Sequence, residues 1–446
     1  MVKASSISLM SHLFCSRLTS PSGSFGTIPN AIRDKRSHYQ DLYEAQPDPF
    51  IKRRLPQLID ESRVAVAKVI NAPLDSVVFV TNATDGINTV LRNLVWNPDG
   101  KDVIISFSTI YDACARAEDF IVDYFKGKVV VREIFLTYPL EDDEIIDLFR
   151  EEVKKIEAEG KRARVSMFDV VSSAPGLVFP WEAMVATCRE LGVLSLVDGA
   201  QGIGMVRLDM EATGPDFFVT NCHKWLHSPR GSAVLHVPVR NQRLIATTLG
   251  TSRGYLPQTG RGDCTQPPPL PDTGGKSHFV WNFEWVGTRD DSPYLCVKDA
   301  IAWRRDVLGG EDRIMAYTWD LNKRGIRHVA DALGTEFLEN KKGTLTNCAM
   351  GNVALPIWVG EAGRARAREG DVVLEAGEEA AAAMKWFQWR LVDEFKTFMA
   401  VWVRWDRFWV RISAQVYLEM EDYEWAGRVL KELSERVAKG EFRDSN

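Results

Sequence analysis

Two short apolar runs near the middle of the chain each end abruptly in polar chemistry. Val193 to Val197 runs into Asp198-Gly199-Ala200-Gln201, and Asp216 to Thr220 runs into Asn221-Cys222-His223-Lys224-Trp225. Short apolar runs closed by turn-forming residues read as buried strands. The pattern extends on both sides, with strands expected at 76–81, 103–107, 128–135, 164–170 and 233–237. Helical periods are expected at 60–70, from Ile87 to Leu94, at 142–158 and at 181–191. Strands alternating with helices predict an α/β fold with a mostly parallel sheet covered on both faces. Ligands of such sheets bind outside the carboxyl ends of the strands. Asp198 and Lys224 both fall there.

That pair suits one cofactor above others. Pyridoxal phosphate (PLP) needs a lysine amine to form a Schiff base with its aldehyde. It also needs an acid that keeps the pyridine nitrogen protonated, so that the ring can accept electrons. Asn82-Ala83-Thr84-Asp85-Gly86, between a strand and a helix, is either an anion site at a helix N-terminus or plain N-capping by Asn82 or Thr84. Beside a PLP lysine the phosphate reading is favoured. Tyr111 follows the strand 103–107, where its ring could stack on the pyridine.

Composition excludes other classes. The 446 residues carry a net charge of −6 with 26% charged and 45% apolar side chains, so nothing favours a nucleic-acid partner. No apolar run approaches the roughly 18 residues that a membrane span needs. Seven scattered cysteines without a CxxC pair read as reduced thiols, with no metal site and no disulfide framework. Location in the cytoplasm is expected, with the nucleus as an alternative. The serine-rich residues 1–22 leave a mitochondrial presequence as another.

The domain reading is a poorly ordered N-terminus over 1–22, an arm plus a large PLP-binding domain over 23–305, and a small α+β domain over 306–446. A polar helix at 31–45 is expected to break at 46–50, where prolines intervene. The proline- and glycine-rich stretch 249–277 reads as a lid or an interface. The small domain is expected to carry helices at 311–333, 377–395 and 420–438, and strands near 344–358, 397–404 and 407–412. Residues 359–376 read as a surface linker.

Several segments in this order carry a family resemblance. They are Val197-Asp198-Gly199-Ala200-Gln201, His223-Lys224-Trp225-Leu226 with Pro229-Arg230-Gly231, Gly287-Thr288, and Arg411-Ile412-Ser413-Ala414-Gln415. Together they resemble the class V aminotransferase family of fold-type I PLP enzymes, which includes cysteine desulfurases and isopenicillin N epimerase-like proteins. The resemblance runs from Gly23 to the C-terminus. Within the family it is strongest to the hercynylcysteine sulfoxide lyases of ergothioneine biosynthesis. That likeness rests on Asn82-Ala83-Thr84, Thr109-Ile110-Tyr111, Asp169-Val170-Val171-Ser172-Ser173, residues 198–205, residues 221–226 and residues 411–420. One departure is Pro21-Ser22, where that group carries Asn-His before Gly-Ser-Phe-Gly; an active-site contribution from this strand therefore stays open.

The resemblance implies the following roles. Lys224 is the Schiff-base lysine and the base for the Cα proton; Asp198 pairs with the pyridine nitrogen, and Gln201 reaches the ring hydroxyl oxygen. Ala83, Thr84 and Asn221 hold the phosphate, with His223 packed or hydrogen-bonded nearby. Thr288 reaches the phosphate of the neighbouring subunit, which implies a homodimer. Ser172 contacts the O3′ side, Tyr111 stacks on the ring and protonates the departing sulfur, and Arg411 clamps the α-carboxylate of an amino-acid substrate. The implied reaction is β-elimination at a C–S bond. A cysteine desulfurase, an epimerase-like racemase or cyclase, and a catalytically silent relative remain as alternatives. Cys348 is the thiol that a desulfurase would need, although its apolar surroundings favour a structural role.

Overall fold

The computed structural model describes residues 24–256 and 275–443. The expectations for 1–22 and for most of the proline-rich stretch lie outside the described residues.

Seven strands form the larger sheet: β1 Val77–Val80, β2 Asp102–Phe107, β3 Val129–Ile134, β4 Arg162–Asp169, β5 Leu194–Asp198, β6 Phe217–Asn221 and β7 Ala233–His236. Their spatial order is β1-β7-β6-β5-β4-β2-β3. Strands β2 to β6 pair in parallel, and β7 runs antiparallel to both β1 and β6. The reason for the reversal is length. Residues 222 through 232 join β6 to β7, fewer than a crossover helix requires.

Every residue of β1, β2, β6 and β7 is buried, as expected of strands covered on both faces. Along β1, Val77 and Phe79 pack into one apolar cluster and Val78 and Val80 into the other. The sheet therefore separates two cores, and its strand period of two sorts the side chains between them. The helix Ala83–Asn93 buries Ile87, Val90 and Leu91 on one face, the 3.6-residue spacing read from the sequence.

The smaller sheet is ordered β10-β11-β8-β9, where β8 is Met350–Val359, β9 Val372–Leu374, β10 Ala400–Arg404 and β11 Arg407–Ser413. Long helices Glu311–Leu333 and Met420–Ala438 pack against β8. Three expectations need correction. The linker reading of 359–376 fails: the segment forms a short helix, Gly360–Arg364, and then β9, which pairs in parallel with β8. Its three-residue strand is too short to show a period in the sequence. The strand expected from 344 begins at Met350.

The helix break is also smaller than expected. Gln46 leaves helical geometry, yet Pro47 restarts a helical path that passes through a π-turn at Phe50–Arg54 into the helix Leu55–Val69. Proline at the first helical position has no N–H that the helix would use.

Candidate active site

Strands β4, β5 and β6 end side by side in Asp169, Asp198 and Asn221, and one helical turn, Cys222–Trp225, follows β6 at once. That turn carries Lys224. Its backbone is fixed from several directions: Cys222 N–H donates to Ser232 O at 3.0 Å, Arg304 Nη1 donates to Trp225 O at 2.6 Å, and Trp225 Nε1 donates to Gln201 Oε1 at 2.7 Å. The N-terminal arm closes over it. Gly26 has φ +64, and a Cβ there would lie 1.9 Å from His223 O, while Arg230 Nη1 donates to Gly26 O at 3.1 Å. Only glycine fits both this conformation and this approach. Gly26→Ala is expected to lift the arm at a cost of about 1–3 kcal/mol from backbone strain alone. Faster proteolysis of the arm, with the rest of the chain still folded, would report it.

A cavity of about 260 Å³ opens at this edge. Its lining brings together Asn82, Ala83, Thr84, Tyr111, Cys114, Asp198, Asn221, His223 and Lys224, with Ser24, Phe25 and Ser173. Seven of the residues singled out in the sequence thus meet in one hollow: Ala83, Thr84, Tyr111, Asp198, Asn221, His223 and Lys224. The Tyr111 ring centre lies 5.8 Å from Lys224 Nζ. The arm contributes Ser24 and Phe25 to the lining, while positions 21 and 22, where its sequence departs, lie outside the described residues.

Four other expected residues are placed differently. Gln201 is buried behind the lysine turn, its Oε1 taken by Trp225 and its Nε2 without a partner among the described residues. Ser172 is turned away from the role expected of it: its hydroxyl donates to Pro175 O at 2.6 Å within its own turn, and its neighbour Ser173 lines the cavity instead. Thr288 is exposed and forms no part of this chain's cavity lining. Arg411 lies just behind the lining, donating from Nη2 to Ser24 Oγ at 2.6 Å and from Nη1 to Ser173 O at 2.5 Å. A Cβ at Gly176 would come within 2.8 Å of Arg411 Cδ, so glycine there makes room for the guanidinium.

Of the two readings of the turn after β1, the capping one is observed directly. Asn82 caps the helix, accepting from Asp85 N–H at 2.9 Å. The Ala83 N–H, expected to serve an anion, donates to Asn221 Oδ1 at 2.9 Å. This bond holds the Asn221 carboxamide by its oxygen and leaves its NH2 as the donor end. Thr84 and the positive end of the helix dipole complete an anion-binding corner.

The electrostatics follow from burial. Burial pushes the Lys224 amine below its usual range, and Asp198 pulls it back. Burial also lowers His223 to about 4, so its ring is neutral at pH 7, with Nδ1 placed 3.2 Å from Ser232 O. Arg411 is pushed down to about 10 by burial. Among the described residues it forms no ion pair, and its Nε has no partner. A buried guanidinium without a carboxylate is costly unless an anion joins it.

Cys114 carried no role in the sequence reading, yet its Sγ donates to Asp198 Oδ2 at 3.3 Å. Its signal was spacing: it stands three residues after Tyr111, at the start of the helix Asp112–Tyr124, and so on the same side of it.

These donors fit pyridoxal phosphate. An amine stands where an aldehyde would bind, a carboxylate lies beside it for the ring nitrogen, Tyr111 offers an aromatic face, and the helix corner offers an anion site. Fold and site together define a PLP-dependent enzyme of fold type I. The aminotransferase class-V family model matches residues 27–253, and the chain belongs to that family.

An L-cysteine desulfhydrase-like protein of Epichloe uncinata is 32% identical over 432 residues, covering 94% of this chain and 93% of the relative. Hercynylcysteine sulfoxide lyase of Schizosaccharomyces pombe is 31% identical over 413 residues, covering 92% and 93%. Among solved structures, a cystine C–S lyase in complex with its product cysteine persulfide aligns with a TM-score of 0.68 at 17% identity, covering 92% of this chain and 96% of the lyase. A variant of that lyase carries glycine covalently linked to its PLP cofactor.

Proposed function

We propose that this enzyme is a carbon–sulfur lyase that cleaves hercynylcysteine sulfoxide by β-elimination. The products are pyruvate, ammonia and the sulfenic acid of ergothioneine, which a thiol reductant converts to ergothioneine. The observation that carries an amino-acid substrate is Arg411, a buried guanidinium without an acidic partner among the described residues, touching two residues that line the lysine cavity. Similarity to the fission-yeast lyase supports the sulfoxide. Similarity to the desulfhydrase-like protein supports the same bond cleavage on free cysteine as the second reading.

Bound PLP supplies an electron sink that makes the substrate Cα–H acidic. The protein's own groups do the rest. Arg411 takes the α-carboxylate through its fork of parallel N–H donors. Lys224, its charge disfavoured by burial, would accept the Cα proton. Asp198 holds the positive charge of the ring nitrogen. Tyr111, whose ring stands near Lys224 Nζ and is 45% exposed, gives its phenolic proton to the departing sulfur. Thr84 and Asn221 donate to the phosphate, and Thr288 reaches the phosphate of the second subunit of a homodimer. We place the enzyme in the cytoplasm, in keeping with five buried free cysteines among the described residues.

A desulfurase would require a mobile thiol. Cys348 is fully buried and its Sγ donates to Met350 O at 3.2 Å; burial pushes it up to about 12. Cys348→Ala is therefore expected to leave any sulfur-releasing activity within about twofold of wild type, since a buried thiol bonded to backbone carries no sulfur. Loss of sulfide release in that variant would restore the desulfurase reading.

The deciding experiment presents the purified holoenzyme with hercynylcysteine sulfoxide and with L-cysteine, and follows pyruvate and sulfide. Pyruvate from the sulfoxide at the higher kcat/KM supports the proposal. Preference for cysteine would replace it with a desulfhydrase, and proton exchange without pyruvate with an epimerase. Tyr111→Phe is expected to lower pyruvate release by about 10²–10⁴-fold, the usual contribution of a general acid. A full rate in that variant would assign the leaving-group proton elsewhere.

A further inference from the structure

Three acidic side chains crowd the carboxyl edge of the sheet beside Lys224: Asp198, Asp169 and the Cys114 thiol. Asp169 and Asp198 are register partners on β4 and β5, so their carboxyls leave the same face of the sheet. They are treated differently by their surroundings. Asp198 accepts from Ala200 N–H at 2.8 Å on Oδ1 and from the Cys114 thiol at 3.3 Å on Oδ2. Asp169 is 5% exposed, and among the described residues no group donates to its carboxyl.

Four titratable groups face Asp169. They are Asp198 from β5, Lys224 from the turn after β6, Cys114 from the helix Asp112–Tyr124, and Tyr138 from the loop after β3. Burial raises the Asp169 carboxyl well above the usual range, and Asp198 raises it further against the pull of Lys224. Burial keeps the Cys114 and Tyr138 protons on as well. A carboxylate that accepts hydrogen bonds keeps its charge, whereas a buried neighbour of like charge without them keeps its proton.

We propose that Asp169 is a positioning residue held as the neutral acid, and that the Ala200 N–H and the Cys114 thiol steer the single negative charge of the carboxyl pair onto Asp198. Asp169 thereby supplies a neutral wall beside the ring-nitrogen site. If it ionised, a second negative charge would compete with Asp198 for the ring nitrogen and for Lys224. The proposal rests on the reading of Asp198 as the partner of the ring nitrogen.

Two measurements separate the two claims. The first uses cofactor-free protein and infrared difference spectra at neutral pH. Wild type is expected to show the C=O stretch of a protonated carboxyl that Asp169→Asn lacks. Cys114→Ala should shift this band, because losing a donor lets the proton move from Asp169 onto Asp198, and Cys114→Ser should leave it in place. Burial also raises Glu118, to about 8, so should Asp169→Asn fail to fold, the band is titrated in Glu118→Gln, where the Asp169 part must remain and persist to neutral pH. A carboxylate signal only would overturn the proposal.

The same proton has a stability signature. A carboxyl whose folded pKa is raised binds its proton more tightly in the native state than in the unfolded chain. Wild type should then lose stability relative to Asp169→Asn as pH rises from the unfolded carboxyl range toward that raised value. An opposite slope would also overturn the proposal.

The second measurement is the PLP dissociation constant. Asp198→Asn is expected to weaken binding by about 100-fold or more, as for loss of one partner of a buried ion pair. Asp169→Asn should change it by less than about threefold. The reverse order would place the charge on Asp169 and overturn the proposal. Normal binding by Asp198→Asn with the infrared band intact would instead overturn the reading of Asp198.

Discussion

Lys224→Ala is expected to abolish pyruvate release by about 10⁴-fold or more, because one residue supplies both the covalent anchor and the general base. The cavity holds no substitute. Among its lining residues Lys224 is the one amine, and His223, lowered to about 4 by burial, is too weak a base at pH 7 to take a Cα proton. The variant should also lose the absorbance of the lysine-bound cofactor, while its fold, judged by circular dichroism, persists. Assays at saturating PLP separate lost chemistry from lost cofactor. Pyruvate release within tenfold of wild type would remove Lys224 from the mechanism.

Arg411→Lys is expected to lower kcat/KM by about 10²-fold or more, the cost of removing a buried, hydrogen-bonded partner from a charge pair. Lysine keeps the charge but lacks the planar fork that matches a carboxylate. The loss should appear mainly in KM, since the carboxylate is bound in the ground state and the transition state alike. A substrate whose α-carboxylate is converted to an amide supplies the specific check. Wild type should discriminate strongly against it, and the variant should not. Equal discrimination by both proteins would mean that Arg411 supports Ser24 and Ser173 without touching substrate.

Strong periods were legible from the sequence. The helices Asp142–Ala158 and Glu311–Leu333 lie where their amphipathic patterns put them, because a long helix repeats its signal over several turns. Strands β1, β2, β6 and β7 of the large sheet were legible because burial on both faces makes them continuous apolar runs. β9 was not, since three residues carry no period, and the reversal of β7 was hidden because an apolar run has no direction.

The site divides in the same way. The sequence determined the chemical inventory: a lysine and an aspartate at the ends of strands, a helix N-terminus for an anion, an aromatic residue, and an arginine far along the chain. Side-chain type and strand-end position are local properties, and they follow from the order of residues. Only the tertiary structure decided which of these groups meet. It joined Arg411 to Ser24 across 387 positions of sequence, brought the arm over Lys224 at Gly26, turned Ser172 away, and placed Cys114 and Asp169 beside Asp198. Those contacts depend on register between strands and on the packing of distant segments. A linear sequence records neither, because each is fixed by burial summed over the whole fold.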